Sequence, residues 1–459
     1  LNIENWKLEI GKRVLVVGLG KSGAAAADWL ARQGARVMVS EAQDESALDS
    51  RLLRELARGG IEIEFGEHRL ESFVEADLIV VSPGVPLDIK PLVEALKRGV
   101  PVVGELELAW TYLRTPSIAV AGTNGKSTVV KLIGEMLSRA GRKVFVGGNI
   151  DQPLTEYIGG DQDADYVVLE VSSFQLDTVV TFSPLVSLIL NISPDHLDRY
   201  ADYEAYIRSK QRIFANQGQG QTLILNDDDP VLGSLEPKTG VQVYRYGIKR
   251  KEGRQVFVED GRILADIPGH GVLRFYLDRF ALPGIHNHAN AMAALLAALA
   301  IETPADAIQE GINLFKGLPH RIEFIDTFRG VAFYNDSKAT NIDAAIKSIT
   351  SFSRPVVLIA GGRHKGSDYL PLVNAAEGRV TGAVFMGEAR ELLAHVFNGR
   401  IPWIEARSMD DAVKLAYDRA QEGDVVLLAP ACSSFDMFRN FQHRGMAFQE
   451  AVRRLRDGA

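Results

Sequence analysis

Cysteine is all but missing: Cys432 stands alone in 459 residues. That excludes an internal disulfide framework and fits a reducing compartment. Long apolar runs are missing too, and none approaches the roughly 20 residues that a membrane-spanning helix needs. The opening stretch LNIENWKLEIGKR carries no apolar core of the signal-peptide kind. A cytoplasmic protein with no membrane partner is expected. Positive charge is in deficit: 51 Lys and Arg against 59 Asp and Glu leave a net charge of −8. This argues against a nucleic-acid surface and leaves room for a local basic pocket. Internal repeats and low-complexity tracts are also lacking. What is present is 46% hydrophobic and 24% charged residues, enough for real cores and, at this length, about three domains.

The most informative stretch is Ser117–Val130, SIAVAGTNGKSTVV. A short β-prone run, Ser117–Ala121, leads into Gly122, Thr123, Asn124, Gly125, Lys126, Ser127 and Thr128, and a helix-compatible segment follows. Strand, glycine loop, Lys-Ser/Thr and helix make up a phosphate-binding loop, here tighter than the usual GxxxxGK[ST]. Backbone N–H groups and the helix N-terminus suit phosphate oxygens. Lys126 can reach the β/γ-phosphates, and Ser127 can offer its hydroxyl to Mg²⁺. ATP is the expected nucleotide.

Ahead of this loop, strand signals at Arg13–Val17 and Arg36–Ser40 flank Gly18-Leu-Gly20-Lys21-Ser22-Gly23 and an Ala-rich helix, with Glu41 after the second strand. By itself that fingerprint spells a dinucleotide site. Asp77–Val81 ends in Ser82-Pro-Gly84-Val-Pro86, and Asp88–Arg98 reads as helix. Glu105–Tyr112 reads as the connecting helix. In the central region Tyr166–Leu169 ends in Glu170, and Leu185–Leu190 leads to Pro194-Asp195-His196. Open α/β sheets hold ligands at such strand ends. Glu170 can join Ser127 in holding Mg²⁺, or be a solvated strand-end carboxylate. His196 can be a ligand or structural. Lys210, on the charged helical stretch Tyr203–Phe214, reads as a surface lysine. Residues 221 to about 280 read as short strands and turns, and His286–Ala300 as a helix with Asn287 and Asn290 on one face.

Past a linker-like GLPHR segment, a third α/β unit alternates strand and helix signals to a final helix near Asn440–Arg454. Asn335-Asp336-Ser337-Lys338-Ala-Thr340-Asn341, Gly361-Gly-Arg-His364-Lys365 and Pro430-Ala-Cys432-Ser433-Ser434-Phe435 each follow a strand. Asp336 or Ser337 can simply cap the next helix; Lys338 and Thr340 suit an anion. Together the three loops suit a small, multiply anionic substrate. Cys432 has no base beside it in sequence and reads as a packed thiol.

The motifs GLGKSG, SPGVP, GTNGKST, LEVSSFQL, SPDHLDRY, KQRIF, GLPHRIE, NDSKATN, GG-x-x-KG and PACSSFDMFRNFQHRG together resemble the Mur ligases of peptidoglycan precursor synthesis. The resemblance runs from Gly18 to Gly445. GTNGKST is shared with folylpolyglutamate synthases; LEVSSFQL, NDSKATN and the PACSSFDMF segment are more specific. It implies three α/β domains: a Rossmann-like unit over 1–104 for a UDP-linked substrate, a P-loop ATPase-type unit over 105–317, and a Rossmann-like unit over 318–459 for an amino acid. It implies an ATP-dependent ligase, most similar to the branch that adds D-glutamate to UDP-N-acetylmuramoyl-L-alanine, acting as a monomer.

Residue by residue, the resemblance makes the Gly18 fingerprint a pyrophosphate cradle lined by Lys21, Ser22, Ser82 and Gly84. Lys126 stays with the transferred phosphoryl group. Ser127 and Glu170 serve one Mg²⁺, and His196 with Lys210, as its carbamate, serve another. Asn149 stands near the reacting centre. Asn290, His320 and Arg321 are adenine- and phosphate-side contacts, and Asp336 the ribose contact. Lys338, Thr340, Lys365, Ser434, Phe435 and Phe441 form the D-glutamate pocket. The sequence departs from the family pattern at Asp151, where glycine is usual, at His364, where Asp is usual, and at Ala42-Gln43, where an arginine contact is missing. A ligase for another amino acid or for folate, and a P-loop nucleotidase that forms no bond, are the alternatives.

Overall fold

The computed structural model describes residues 10–196, 199–237, 240–268, 271–366 and 368–457. Its strands form three sheets. The first contains β1 (Arg13–Val17), β2 (Arg36–Glu41), β3 (Glu62–Phe65), β4 (Leu78–Val81) and β5 (Val102–Gly104), all parallel, in the order β3-β2-β1-β4-β5. β1 and β4 are buried nearly throughout, as an apolar run between two helical layers must be. β3, EIEF, has no fully buried residue, so its charged alternation hides it from a search for apolar runs.

The second sheet has nine strands. β6 (Ser117–Ala121), β7 (Val144–Gly148), β8 (Tyr166–Glu170), β9 (Val186–Ile189), β10 (Thr222–Asn226) and β11 (Gln242–Tyr246) run parallel. β12 (Val256–Glu259), β13 (Arg262–Ile267) and β14 (Gly271–Tyr276) extend one side as an antiparallel meander. The order is β14-β13-β12-β11-β10-β9-β6-β8-β7. Fully buried β6 therefore lies between β9 and β8, and Val120 pairs with both Leu188 and Glu170. That register places Glu170 beside the phosphate loop and the segment after β9 on its other side.

The third sheet comprises β15 (Glu323–Phe328), β16 (Val331–Asn335), β17 (Val356–Gly361), β18 (Val380–Met386), β19 (Trp403–Glu405) and β20 (Val425–Leu428), ordered β15-β16-β20-β17-β18-β19. β15 is antiparallel to β16, and the other pairs are parallel. Asn335 and Ile359 both pair with Leu428, so the three loops singled out in sequence leave one sheet edge together. The final helix spans Phe441–Asp457. Among the described residues no helix is long and apolar enough to cross a membrane.

Candidate active site

The phosphate loop closes on itself. Gly125 has φ +90°, and a Cβ there would sit 2.5 Å from Asn290 Oδ1, so glycine is required twice over. Asn191 holds the loop backbone from both sides: Asn124 N donates to Asn191 Oδ1 at 2.8 Å, and Asn191 Nδ2 donates to Asn124 O at 2.9 Å. Lys126 Nζ folds back to donate to Gly122 O at 2.8 Å and Thr123 O at 3.0 Å. Burial pulls its pKa below the ordinary lysine value.

Beside the loop, Ser127 Oγ donates to Glu170 Oε2 at 2.5 Å, and Asn149 Nδ2 donates to Glu170 Oε1 at 2.9 Å. Burial pushes the Glu170 carboxyl up, but Lys126, Lys338 and these hydrogen bonds outweigh it and hold the carboxyl below its ordinary value. Arg321, from the linker, donates to Ser127 Oγ at 3.2 Å. His196 takes φ +56°, and its ring meets Phe174 edge-on at 4.8 Å. Burial keeps it more neutral than a free imidazole, against the pull of Asp195. Lys210 is buried, contrary to the plain reading of its charged helix. Its Nζ donates to Gly122 O at 3.0 Å and lies 4.4 Å from the Tyr206 ring centre. Burial, helped by Lys126, drops its pKa well below the ordinary value.

A cavity of about 330 Å³ is lined by Thr123 to Lys126, Thr128, Asn149, Glu170, His196, Asn290, Arg321, Asp336, Lys338, Thr340 and Lys365. Asp336 is buried and raised to about 6, with Ser348 Oγ and Arg321 pulling the other way. Lys338 is lowered to about 8, first by burial and then by Arg321, and its Nζ lies 4.0 Å from the Phe441 ring centre. A larger cavity, about 800 Å³, starts at the Gly18 loop and is lined there by Lys21, Ser22, Ser82 and Gly84; its far wall has Ser127, His320 and Phe441. Glu41 also lines this cavity, and its oxygens accept from Leu19 N at 2.5 Å and Gln43 N at 2.9 Å, bracing the glycine turn. Ser82 Oγ likewise donates to Gly18 O at 2.7 Å. Gly23 is where helix and strand touch, since a Cβ would fall 1.9 Å from Gly18 O.

Asn149, Leu318, Arg321 and Lys338 line both cavities. Gly122, Lys210, Ser434 and Phe435 line neither: the first three are buried, and Phe435 is 63% exposed on the surface. His320 faces the larger cavity rather than the one that holds Asn290, and its Nδ1 is 2.9 Å from Asn335 Nδ2. Cys432 is packed, its Sγ 3.0 Å from Tyr369 Oη and its pKa pushed up to about 11 by burial. Asp195 was not singled out from sequence, yet it accepts from Asn341 Nδ2 at 3.0 Å and stands 3.7 Å from Lys365 Nζ. Burial raises its carboxyl; Lys365 and His196 more than reverse that. No run of residues signals this role, because its partners come from another domain.

Three family models match the chain in order: "Mur ligase MurD-like, N-terminal domain" over 12–104, "Mur ligase middle domain" over 120–298 and "Mur ligase, glutamate ligase domain" over 320–432. Among curated proteins, the UDP-N-acetylmuramoylalanine--D-glutamate ligase of Geotalea uraniireducens is 43% identical, covering 98% of this chain and 99% of that protein. The enzyme of the same name from Acidobacterium capsulatum is 44% identical over 96% of each. Among solved structures, a pseudomurein peptide ligase type C from Methanothermus fervidus aligns with a TM-score of 0.62 at 20% identity, covering 97% of this chain and all of that one. The UDP-N-acetylmuramate-alanine ligase of Thermotoga maritima aligns with a TM-score of 0.61 at 18% identity, covering 98% and 100%. With full-length relatives above 40% identity and all three models in register, the chain belongs to the Mur ligases, a family of ATP-dependent ligases.

Proposed function

We propose that this enzyme joins D-glutamate to the alanine carboxylate of UDP-N-acetylmuramoyl-L-alanine, cleaving ATP to ADP and phosphate, as a monomer in the cytoplasm. The names of its full-length relatives support the substrates. The observation that carries the chemistry is the wall of Asn149, Arg321 and Lys338 common to both cavities. A phosphoryl group bound in the smaller cavity needs only to cross that wall to reach a carboxylate in the larger one. The acceptor occupies the first domain (1–104), ATP the central one (105–317) and the amino acid the third (318–459).

A carboxylate is a poor electrophile. Its oxygen therefore attacks the γ-phosphorus of ATP; the new O–P bond replaces the bond to ADP. The amine nitrogen of D-glutamate then attacks the acyl carbon, the C–O bond to phosphate breaks, and the nitrogen sheds a proton. Lys126, released from Gly122 and Thr123, meets the charge on the transferring group. Lys338 and Lys365 face the amino acid's carboxylates, with Thr340, Ser434, Phe435 and Phe441 completing that pocket once the third domain closes. Asn290 serves the nucleotide side, and Asp336 its ribose; His320, on the wall of the larger cavity, faces the acceptor.

The donor set fits Mg²⁺: Ser127 hydroxyl and Glu170 carboxylate are hard oxygen ligands in contact, with Asn149 bracing them. Bound there, the ion neutralises charge on phosphoryl oxygens. Among the described residues no three or more His, Cys, Asp or Glu are grouped so as to hold a metal ion, so a second ion at His196 needs an added ligand. Lys210 can supply one. Its burial favours the neutral amine, whose nitrogen bonds the carbon of CO₂ and loses a proton to leave an anionic carbamate.

The test is ADP release with the UDP-linked acceptor and a panel of amino acids. Turnover is expected with D-glutamate; no ATP consumption with all three reactants would end this reading, and preference for another amino acid would revise it. Lys210→Ala is expected to be inactive and partly restored by a short carboxylic acid. An inactive variant indifferent to such acids would remove the carbamate.

A further inference from the structure

The helix Ile342–Thr350 of the third domain begins against the phosphate loop of the central one. Its second residue, Asp343, accepts three hydrogen bonds on one oxygen, Oδ2. The donors are Asn124 Nδ2 at 2.7 Å, Ser193 Oγ at 3.3 Å and Lys347 Nζ at 2.7 Å. Asn124 belongs to the phosphate loop, and Ser193 to the segment after β9. The helix N-cap, Asn341, adds to the join: its Oδ1 accepts from Ala344 N at 2.8 Å, while its Nδ2 donates to Asp195 Oδ2 at 3.0 Å and approaches Asn124 Oδ1 at 3.4 Å. Both ends of the Asn124 amide are thus read by the third domain, while Asn191 fixes its backbone from within the central one.

A phosphate loop does not need this for its own fold. Asn124 could face solvent without loss to the backbone contacts. Nor does a carboxylate help bind phosphates; a negative charge beside the loop opposes them. Lys347, one turn along the same helix, offsets that charge. Something other than nucleotide affinity must be served by Asp343. Lys338 and Thr340 lie on the turn that runs into this helix, and both line the smaller cavity. Where the helix begins therefore decides where they stand.

We propose that Asp343 is a positioning residue that clips the third domain to the phosphate loop through Asn124, so that the loop's own geometry sets the amino-acid pocket. The clip acts on placement, not on nucleotide contact. Its removal shows as a split between substrates. Only the kinetic arm rests on the ligase reading above; the distance arm does not.

The distance arm uses cysteines introduced as Glu236→Cys and Glu391→Cys, whose native side chains are 90% and 80% exposed, and a pair of fluorescent labels. Cys432 is buried and stays silent. In Asp343→Ala the label distance is expected to lengthen or broaden, the KM for D-glutamate to rise about tenfold, equivalent to about 1.4 kcal/mol, and nucleotide affinity to hold or tighten. Asp343→Asn keeps an oxygen for Asn124 and is expected to fall between the two. An unchanged distance distribution with both KM values within twofold would overturn the proposal, as would loss of nucleotide affinity alone. Should Asp343→Ala not fold, Asp343→Asn carries the same two readouts. A shifted distance in an enzyme that consumes no ATP would sink the ligase reading and leave the clip standing.

Discussion

Between the first and central domains the apolar core runs without a break. Val14, Trp29 and Leu30 of the first belong to the same buried cluster as Leu106, Leu154, Ile158 and Leu169 of the central one. The Trp29 and Tyr112 rings meet at 4.8 Å across the boundary. Two carboxylates secure the connecting helix Glu105–Tyr112: Glu105 accepts from Thr155 N and Oγ1, and Glu107 from Val180 N, Thr181 N and Thr181 Oγ1. Apart from Leu318 in the linker, which packs on the central core, the third domain keeps its cores to itself. It meets the central domain through polar contacts: Asp343 on Asn124, Asn341 and Lys365 on Asp195, Arg321 on Ser127. Apolar burial is non-directional and scales with area, so the first joint does not open without exposing core. Part-buried polar contacts of this kind contribute about 1 kcal/mol each and can be exchanged for ligand or water. The linker between these domains has Gly317, His320 and Ile322 at positive φ. From that difference we expect the third domain to move against the other two, which share one core.

The strongest way to break this contrast is Trp29→Ala. It should cost about 3–5 kcal/mol and shift the melting of the first and central domains together; a calorimetric trace in which only the first domain shifts would divide that core. Next comes Glu105. Burial raises its carboxyl to about 7, and its Oε2 has no partner. The folded state thus holds a proton that the unfolded chain releases nearer pH 4.5, so this one group's contribution to stability is full below about 4.5 and is lost as pH rises through about 7. Glu105→Gln should remove that loss, a gain of about 3 kcal/mol at pH 8, read from denaturant midpoints at pH 5 and 8. A variant no more stable than the parent at pH 8 would contradict the raised pKa.

At the polar joint effects should be smaller and kinetic. Lys338 is lowered to about 8, so its positive charge fades as pH rises through that value. The KM for D-glutamate should climb by about tenfold per pH unit above it, and a flat profile to pH 9 would remove Lys338 from carboxylate binding. Smallest is Asn341→Ala: about 1 kcal/mol or less, seen as faster amide exchange at the start of the helix Ile342–Thr350 with the first two domains unchanged. Raised salt should do the same through Lys365 and Asp195.

Much of the scaffold was readable before the fold. Apolar runs ending at Gly18, Gly122, Glu170 and Asn335 became buried strands because parallel strands between helices must be apolar on both faces. The site loops follow such strands and so declared themselves. What stayed hidden was whatever depends on a distant partner. β3 carries charge on a half-exposed face, and Lys210 sits on a helix as charged as any surface helix while being itself buried. Asp195 and Asp343 acquire their roles only when another domain arrives.

The wall between the two cavities bears on how the enzyme could be stopped. Asn149, Arg321 and Lys338 are reachable from either side. One molecule with an arm in each chamber, tethered at that partition, would hold both with the second arm already delivered by the first. Tethering would also pin the third domain against the other two, so that any closure the reaction needs would become a trap.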